Sequence, residues 1–292
     1  HPFDGDGMVC AISFKNRRAH FRNRFVRTEG YVAEKTAGKI LYKGVFGTQK
    51  TGGWLANIFD LKNKNIANTG IIYWGNKLLA LWEGGQPHSL NPQNLETLGI
   101  DDLDGTLQPG QAFSAHPRIE TGKDGKGDIL VNFSVKPGLW STITIFEFNT
   151  QGKVLKRYSH SIPGFAFLHD MAITPNYCIF FQNPITLNPL PFFLGLRGIG
   201  QCLEFSSNKS TQVILIPRDG SKAVKILETK PCFVFHHANA WEKNGKIYID
   251  SICYESFSQF DLGDDFRDMD FDSISEGQLC RFKINLSENN VE

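Results

Sequence analysis

The sequence predicts an all-β protein. Three observations carry this: apolar runs of strand length, turn residues at regular intervals between them, and hardly any helical periodicity across 292 residues. Hairpins this regular point to meandering antiparallel sheets. Chain length and hairpin count favour a β-propeller over a sandwich. No domain boundary is visible, so residues 1–292 read as a single propeller domain.

The hairpins can be taken in order. GIIYWGNKLLALWEGG (70–85) is strand, Gly75-Asn76 turn, strand. STITIFEFNTQGKVLKRYSHSIP turns at Thr150-Gln151-Gly152, and FLHDMAITPNYCIFFQNP at Thr174-Pro175-Asn176. QVILIPRDGSKAVKILE turns at Asp219-Gly220, and FVFHHANAWEKNGKIYIDSICYE at Asn244-Gly245. Segments 121–127 and 206–212 read as loop tips. Residues 261–273 form an acidic stretch, either a solvated connection or a cation site, without the Gly and terminal Glu of an EF-hand loop.

Composition narrows the function. Thirty-one basic residues against 30 acidic ones give no electrostatic case for nucleic acid. Hydrophobic content of 41% is ordinary for a globular chain, and no apolar run reaches the length of a membrane span. The six cysteines (10, 178, 202, 232, 253, 280) lack any C-x-x-C, which suits reduced thiols in a cytoplasmic protein. The chain opens at His1, and no signal peptide precedes its first motif. Twenty-four Phe against 7 Tyr and 5 Trp suggest a large apolar core or a Phe-lined cavity.

Three of the eight histidines lie in apolar strand text: FSAHPRI (His116), FAFLHDMAI (His169) and FVFHHANA (His236). Separations of 53 and 67 residues are too long for a zinc finger or an H-E-x-x-H helix. They suit one residue per sheet, with successive sheets around an axis where a metal could sit. The alternative is three separately satisfied core histidines. Glu83, after the apolar strand LLALW, is either a solvent-facing strand end or a carboxylate accepting the free N–H of a ligand imidazole. Alternation separates the adjacent pair, placing His236 with Val234 and Ala238, and His237 with Phe233 and Phe235. Only one of them can then serve a given site.

Taken together, FDGDGM (3–8), LLALWEGGQPHSLNPQNLET (78–97), FSAHPRI (113–119), LHDMAIT (168–174) and FHHANAWE (235–242) resemble the carotenoid cleavage oxygenase family. This is the retinal pigment epithelium membrane protein family. NPITLNPLPFFLGLRGIG looks most like its bacterial apocarotenoid oxygenases. The resemblance implies a seven-bladed β-propeller in the intact protein, with one Fe(II) per subunit on the axis, held by four histidines. His116, His169 and His236 match three of these, and Glu83 matches the first of three supporting glutamates. No histidine follows His237, so the fourth ligand is missing; the chain reads as a partial sequence of about four to five blades.

The implied reaction is cleavage of a C=C bond in a carotenoid or apocarotenoid by O₂, giving two carbonyl products without a protein acid or base. Cleavage of stilbene-type phenolics on the same fold is an alternative. So is a metal-free propeller acting as a binding module, should the chain be complete. In the resembling enzymes the loop carrying Leu190, Phe192, Phe193, Leu194 and Leu196 forms an apolar patch near a tunnel mouth. Here it implies either peripheral membrane contact on the cytoplasmic side or a loop folded back onto the propeller.

Overall fold

The computed structural model describes residues 1–122, 127–220, 223–257 and 275–292. The acidic segment 261–273 lies outside the described residues. An opening hairpin pairs β1 (Met8–Lys15) with β2 (Arg18–Phe25). Two helices follow, α1 (Glu29–Ala37) and α2 (Trp54–Asn57).

Four four-stranded antiparallel sheets come next, the blade pattern of a propeller. The first comprises β3 (Gly70–Trp74), β4 (Lys77–Leu81), β5 (His88–Leu90) and β6 (Thr97–Ile100). The second comprises β7 (Arg118–Glu120), β8 (Ile129–Lys136), β9 (Trp140–Phe148) and β10 (Val154–Pro163). In the third, β11 (Ala172–Ile173) and β12 (Tyr177–Gln182) are separated from their sheet partners by a small insertion. That insertion is the hairpin β13 (Ile185–Leu187) and β14 (Leu203–Phe205), with the short helix α3 (Leu190–Phe193) between its strands. The third sheet then closes with β15 (Thr211–Pro217) and β16 (Lys225–Thr229). The fourth is β17 (Phe233–Lys243), β18 (Lys246–Tyr254), β19 (Gln278–Asn285) and β20 (Asn290–Val291).

The expected hairpins form where the turn chemistry places them. Gly75 and Asn76 have φ of 57° and 63°, and Asn244 and Gly245 have 52° and 70°. Two successive positive φ values match the right-handed twist of the flanking strands. The Thr174–Tyr177 turn is closed by Thr174 N–H donating to Tyr177 O at 2.9 Å. Segment 206–212 is only partly loop, because β15 already begins at Thr211. The opening hairpin and α1 were not expected from the strand pattern. Helix α1 carries ordinary end signals, a Thr28 N-cap whose hydroxyl accepts from Tyr31 N–H and a left-handed Gly38 at its C-terminus.

Strand alternation translates directly into the core. On β12, Cys178 and Phe180 face the second sheet, packing with Val131, Phe133, Ile143 and Ile145. Ile179 and Phe181 face the fourth sheet, packing with Ile247, Ile249, Phe282 and Ile284. Strand β12 is therefore buried on both faces, and all six of its residues are buried. Burial of each such side chain contributes about 1.5–3 kcal/mol. Strand β11 packs beside both β7 and β17, so the first strands of three successive sheets adjoin. This adjacency builds the site.

Candidate metal centre

His116 sits immediately before β7. Its segment is fixed by Ser114 N–H donating to Phe133 O (2.8 Å) and by the Asn132 amide donating to Ser114 O (2.8 Å). At Gly70 a Cβ would lie 2.4 Å from Ala115 O, so only glycine lets β3 approach this closely. His169 sits just before β11, and His236 lies within β17. The entries to two neighbouring strands and one position inside a third thus bring together residues 53 and 67 positions apart.

The convergence is tight. Ring nitrogens of His116, His169 and His236 all lie within 4.8 Å of one another, and no other such group occurs among the described residues. His116 Nε2 and His169 Nε2 are 2.9 Å apart. Two imidazole nitrogens bound at right angles to one ion, about 2.1 Å from it, stand about 3 Å apart. Ring centroids are separated by 4.5 Å for His116–His169 and 5.0 Å for each pair with His236. His1, His20, His88 and His160 stay outside the cluster.

Electrostatics favour the neutral ring at His116 and His236 but not at His169. Burial, reinforced by His169, pushes His116 from 6.5 down to about 4. Burial and the same neighbour lower His236. For His169 burial acts downward, but the hydrogen bond and charge of Glu83 outweigh it, and its pKa is raised. Glu83, in the loop after β4, receives His169 Nδ1–H in a short hydrogen bond. That contact leaves Nε2 turned toward His116. The donor set, three imidazoles with one carboxylate behind them, suits a borderline transition metal such as iron, copper or zinc.

His237 lies elsewhere. It is buried, its Nδ1 is 2.8 Å from Ser251 Oγ, and its ring packs 5.0 Å from Phe181. This corrects the expected alternation, which grouped His237 with Phe233 and Phe235. Strand register shifts between Val234 and His237 and again between His237 and Asn239. Each bulge inserts one residue, so His237 shares the face of Val234 while Phe235 and His236 turn away from it. Phe235 instead lies 5.1 Å from His169 and 4.6 Å from Phe233, in an aromatic cluster with Phe165, Phe167 and Phe257. Beside Glu83, a cavity of about 140 Å³ is lined by Phe133, Phe165, Phe167 and Leu168.

The apolar loop divides between surface and interior. Leu190 and Leu196 are each 60% exposed and Phe193 is 39% exposed. Phe192 is 6% exposed, which corrects its place in the expected patch, and Leu194 is half-buried. Helix α3 turns the Phe192 ring inward, where the Lys43 ammonium lies 3.9 Å from its centroid. Two residues that strand and motif patterns did not single out, Arg118 and Asp170, adjoin the histidines. Their signal was charge inside apolar text, Asp170 directly after His169 and Arg118 two positions after His116.

A meander of sheets whose neighbouring first strands gather three histidines, with a carboxylate behind one of them, defines a class: β-propellers with a candidate metal site. Within that class, the chain belongs to the retinal pigment epithelial membrane protein family, whose profile matches residues 1–292. It is 56% identical to the apocarotenoid-15,15'-oxygenase of Synechocystis sp., over 100% of this chain and 60% of that protein. It is 34% identical to an isoeugenol monooxygenase of Pseudomonas nitroreducens, over 86% of this chain and 50% of that protein. A resveratrol cleavage oxygenase of Botryotinia fuckeliana is 30% identical, over 98% of this chain and 51% of its own length. The crystal structure of cobalt-substituted Synechocystis apocarotenoid oxygenase superposes with a TM-score of 0.96 at 56% identity, covering 100% of this chain and 61% of that one. The chain therefore spans about three-fifths of the Synechocystis relative, 60% of its length.

Proposed function

We propose that the protein carrying this chain is a non-haem iron(II) dioxygenase that cleaves one C=C bond of an apocarotenoid or carotenoid. The balanced reaction adds both atoms of O₂ across the alkene and releases two carbonyl products. The convergence of His116, His169 and His236 within 4.8 Å is the observation that carries this reading. Identity of 56% to an apocarotenoid oxygenase supports the substrate class. We extend the fold accordingly to a seven-bladed propeller in the intact protein.

In this reading the three histidines hold the metal, and Glu83 fixes the tautomer of His169 by accepting its Nδ1–H. An iron(II) ion held by these histidines would supply the chemistry of O₂ activation beside the alkene. Phe165, Phe167, Phe235 and Phe257 give the approach to His169 an apolar wall that grips a polyene and excludes water. Because the reaction adds O₂ without net proton transfer, the absence of a dedicated acid or base in this reading is consistent. We also assign Leu190, Phe193 and Leu196 to peripheral contact with a membrane on its cytoplasmic side, where an apolar substrate is dissolved.

A second reading, cleavage of a phenolic alkene, is favoured by the isoeugenol and resveratrol relatives, at 34% and 30% identity. The test is to supply the purified full-length protein, loaded with Fe(II), with an apocarotenal, isoeugenol and resveratrol under O₂. Two carbonyl products from the apocarotenal, with one O₂ consumed per alkene, are expected. Turnover of the phenolics alone selects the second reading. No turnover and no bound iron refutes both.

A further inference from the structure

We propose that Arg118 and Asp170 are positioning residues that lock the three ligand strands together and thereby set the geometry of the metal site. This rests on the metal reading above. Each partner in the network adjoins a different histidine: Arg118 follows His116, Asp170 follows His169, and His237 follows His236. Asp170, 4% exposed, accepts the His237 backbone N–H at 2.9 Å and pairs with the Arg118 guanidinium. Its other oxygen accepts Met171 N–H at 2.7 Å. Arg118 Nε donates to Met171 O at 2.8 Å, and its NH2 group also donates to His237 O at 2.8 Å.

The planar guanidinium suits this task because its fixed fork addresses two carbonyls and a carboxylate at once, as an ammonium cannot. The network also explains the bulged strand. Both register shifts in β17 flank His237, and the N–H and C=O of that residue are taken by Asp170 and Arg118. Those backbone groups lie on the free edge of a first strand, where unpaired polar groups would otherwise be costly. Satisfying them at that one residue coincides with the register that turns His237 into the core and His236 toward His116 and His169. An imidazole held by its own side chain alone would have two soft torsions between it and the sheet. Here the backbone beside each ligand is bonded to the backbone or charge beside the next.

A buried ion pair can also serve stability alone, so the test needs a readout that stability does not move. Co(II) is the probe, because its electronic spectrum reports the number and arrangement of nitrogen ligands. The full-length wild-type protein, Asp170→Asn, Arg118→Lys and Arg218→Lys are compared. Arg218 is the control: it is buried and bridges Glu120 (2.8 Å) and Glu147 (2.9 Å), away from the histidines. Asp170→Asn is expected to bind Co(II) about 10- to 100-fold more weakly with an altered spectrum, as loss of an outer-shell partner does. Arg118→Lys is expected to move in the same direction, and it carries the test should Asp170→Asn not fold. Arg218→Lys should lower the melting temperature while leaving the spectrum unchanged. A wild-type spectrum and affinity within twofold in both Asp170→Asn and Arg118→Lys overturns the inference, as does an equal spectral change in Arg218→Lys. A wild-type protein that takes up no Co(II) at all overturns the metal reading and this inference with it.

Discussion

His236 and His237 are neighbours in sequence with different surroundings, and substitution should separate them. Replacing His236 by Ala removes one of three converging nitrogens, so metal content is expected to fall to background in elemental analysis, with little change in melting temperature. Replacing His237 by Ala leaves a cavity against Phe181 and strands the Ser251 hydroxyl. That change should cost about 2–4 kcal/mol of stability while the remaining folded protein still takes up metal. Equal metal loss in both would refute the assignment. A third histidine reports on pH. His88 is 2% exposed, and burial lowers its pKa from 6.5, with Glu29 opposing weakly. The unfolded chain then binds a proton below about pH 6.5 that the folded state resists. His88 is therefore stabilising to the fold only above that pH, and the stability is lost as pH falls toward its folded pKa. Melting temperatures recorded from pH 7.5 down to 5 should decline for the wild type and decline less for His88→Leu. Parallel curves would show that His88 does not titrate on unfolding.

At the scale of elements, what could be read in the sequence was whatever local chemistry decides. Gly75-Asn76 and Asn244-Gly245 announce their hairpins because positive φ at both positions is a local demand. The three converging histidines stood out because polar residues in apolar strand text need a partner or a ligand. The bulges in β17 could not be read, because they depend on Asp170 and Arg118, residues 67 and 119 positions from His237. Phe192 was misplaced for a similar reason. Its inward turn depends on Lys43, 149 residues away, whose ammonium also donates to Phe192 O at 3.3 Å. In β12, by contrast, successive side chains take opposite faces by strand geometry alone, and both faces are packed. Phe180 sits on one of them, fully buried and edge-on to Phe133 at 5.0 Å. Phe180→Ala should destabilise the chain by about 3–5 kcal/mol through the cavity between the second and third sheets. Urea unfolding measures this, and a loss below about 1 kcal/mol would mean that the two sheets do not share a core.

Among the apolar side chains that the described residues leave outside the core, one group gathers around α3 and α2. No described helix is long and apolar enough to cross a membrane. Leu190, Phe193 and Leu196 supply one part of that group. The region around α2 supplies another, because Trp54, Leu55 and Phe59 are also exposed. The two parts are held side by side: Trp54 Nε1 donates to Leu194 O at 2.6 Å, and Phe59 N–H donates to Phe193 O at 2.9 Å. Backbone carbonyls of Phe193 and Leu194 are thus partnered from the α2 region while Leu190, Phe193 and Leu196 stay exposed. If each of Leu190, Phe193 and Leu196 gains about 1 kcal/mol on leaving water, replacing all three by Ser should weaken liposome partitioning on the order of 100-fold. Phe192→Ser is the informative contrast. Its ring is already out of water, so its loss should lower stability and leave partitioning of the folded protein unchanged. Flotation of the full-length protein with liposomes separates the cases. Equal partitioning by wild type and the triple variant would remove these side chains from any membrane role, and a loss confined to Phe192→Ser would show that the inward ring, not the outward ones, governs the surface.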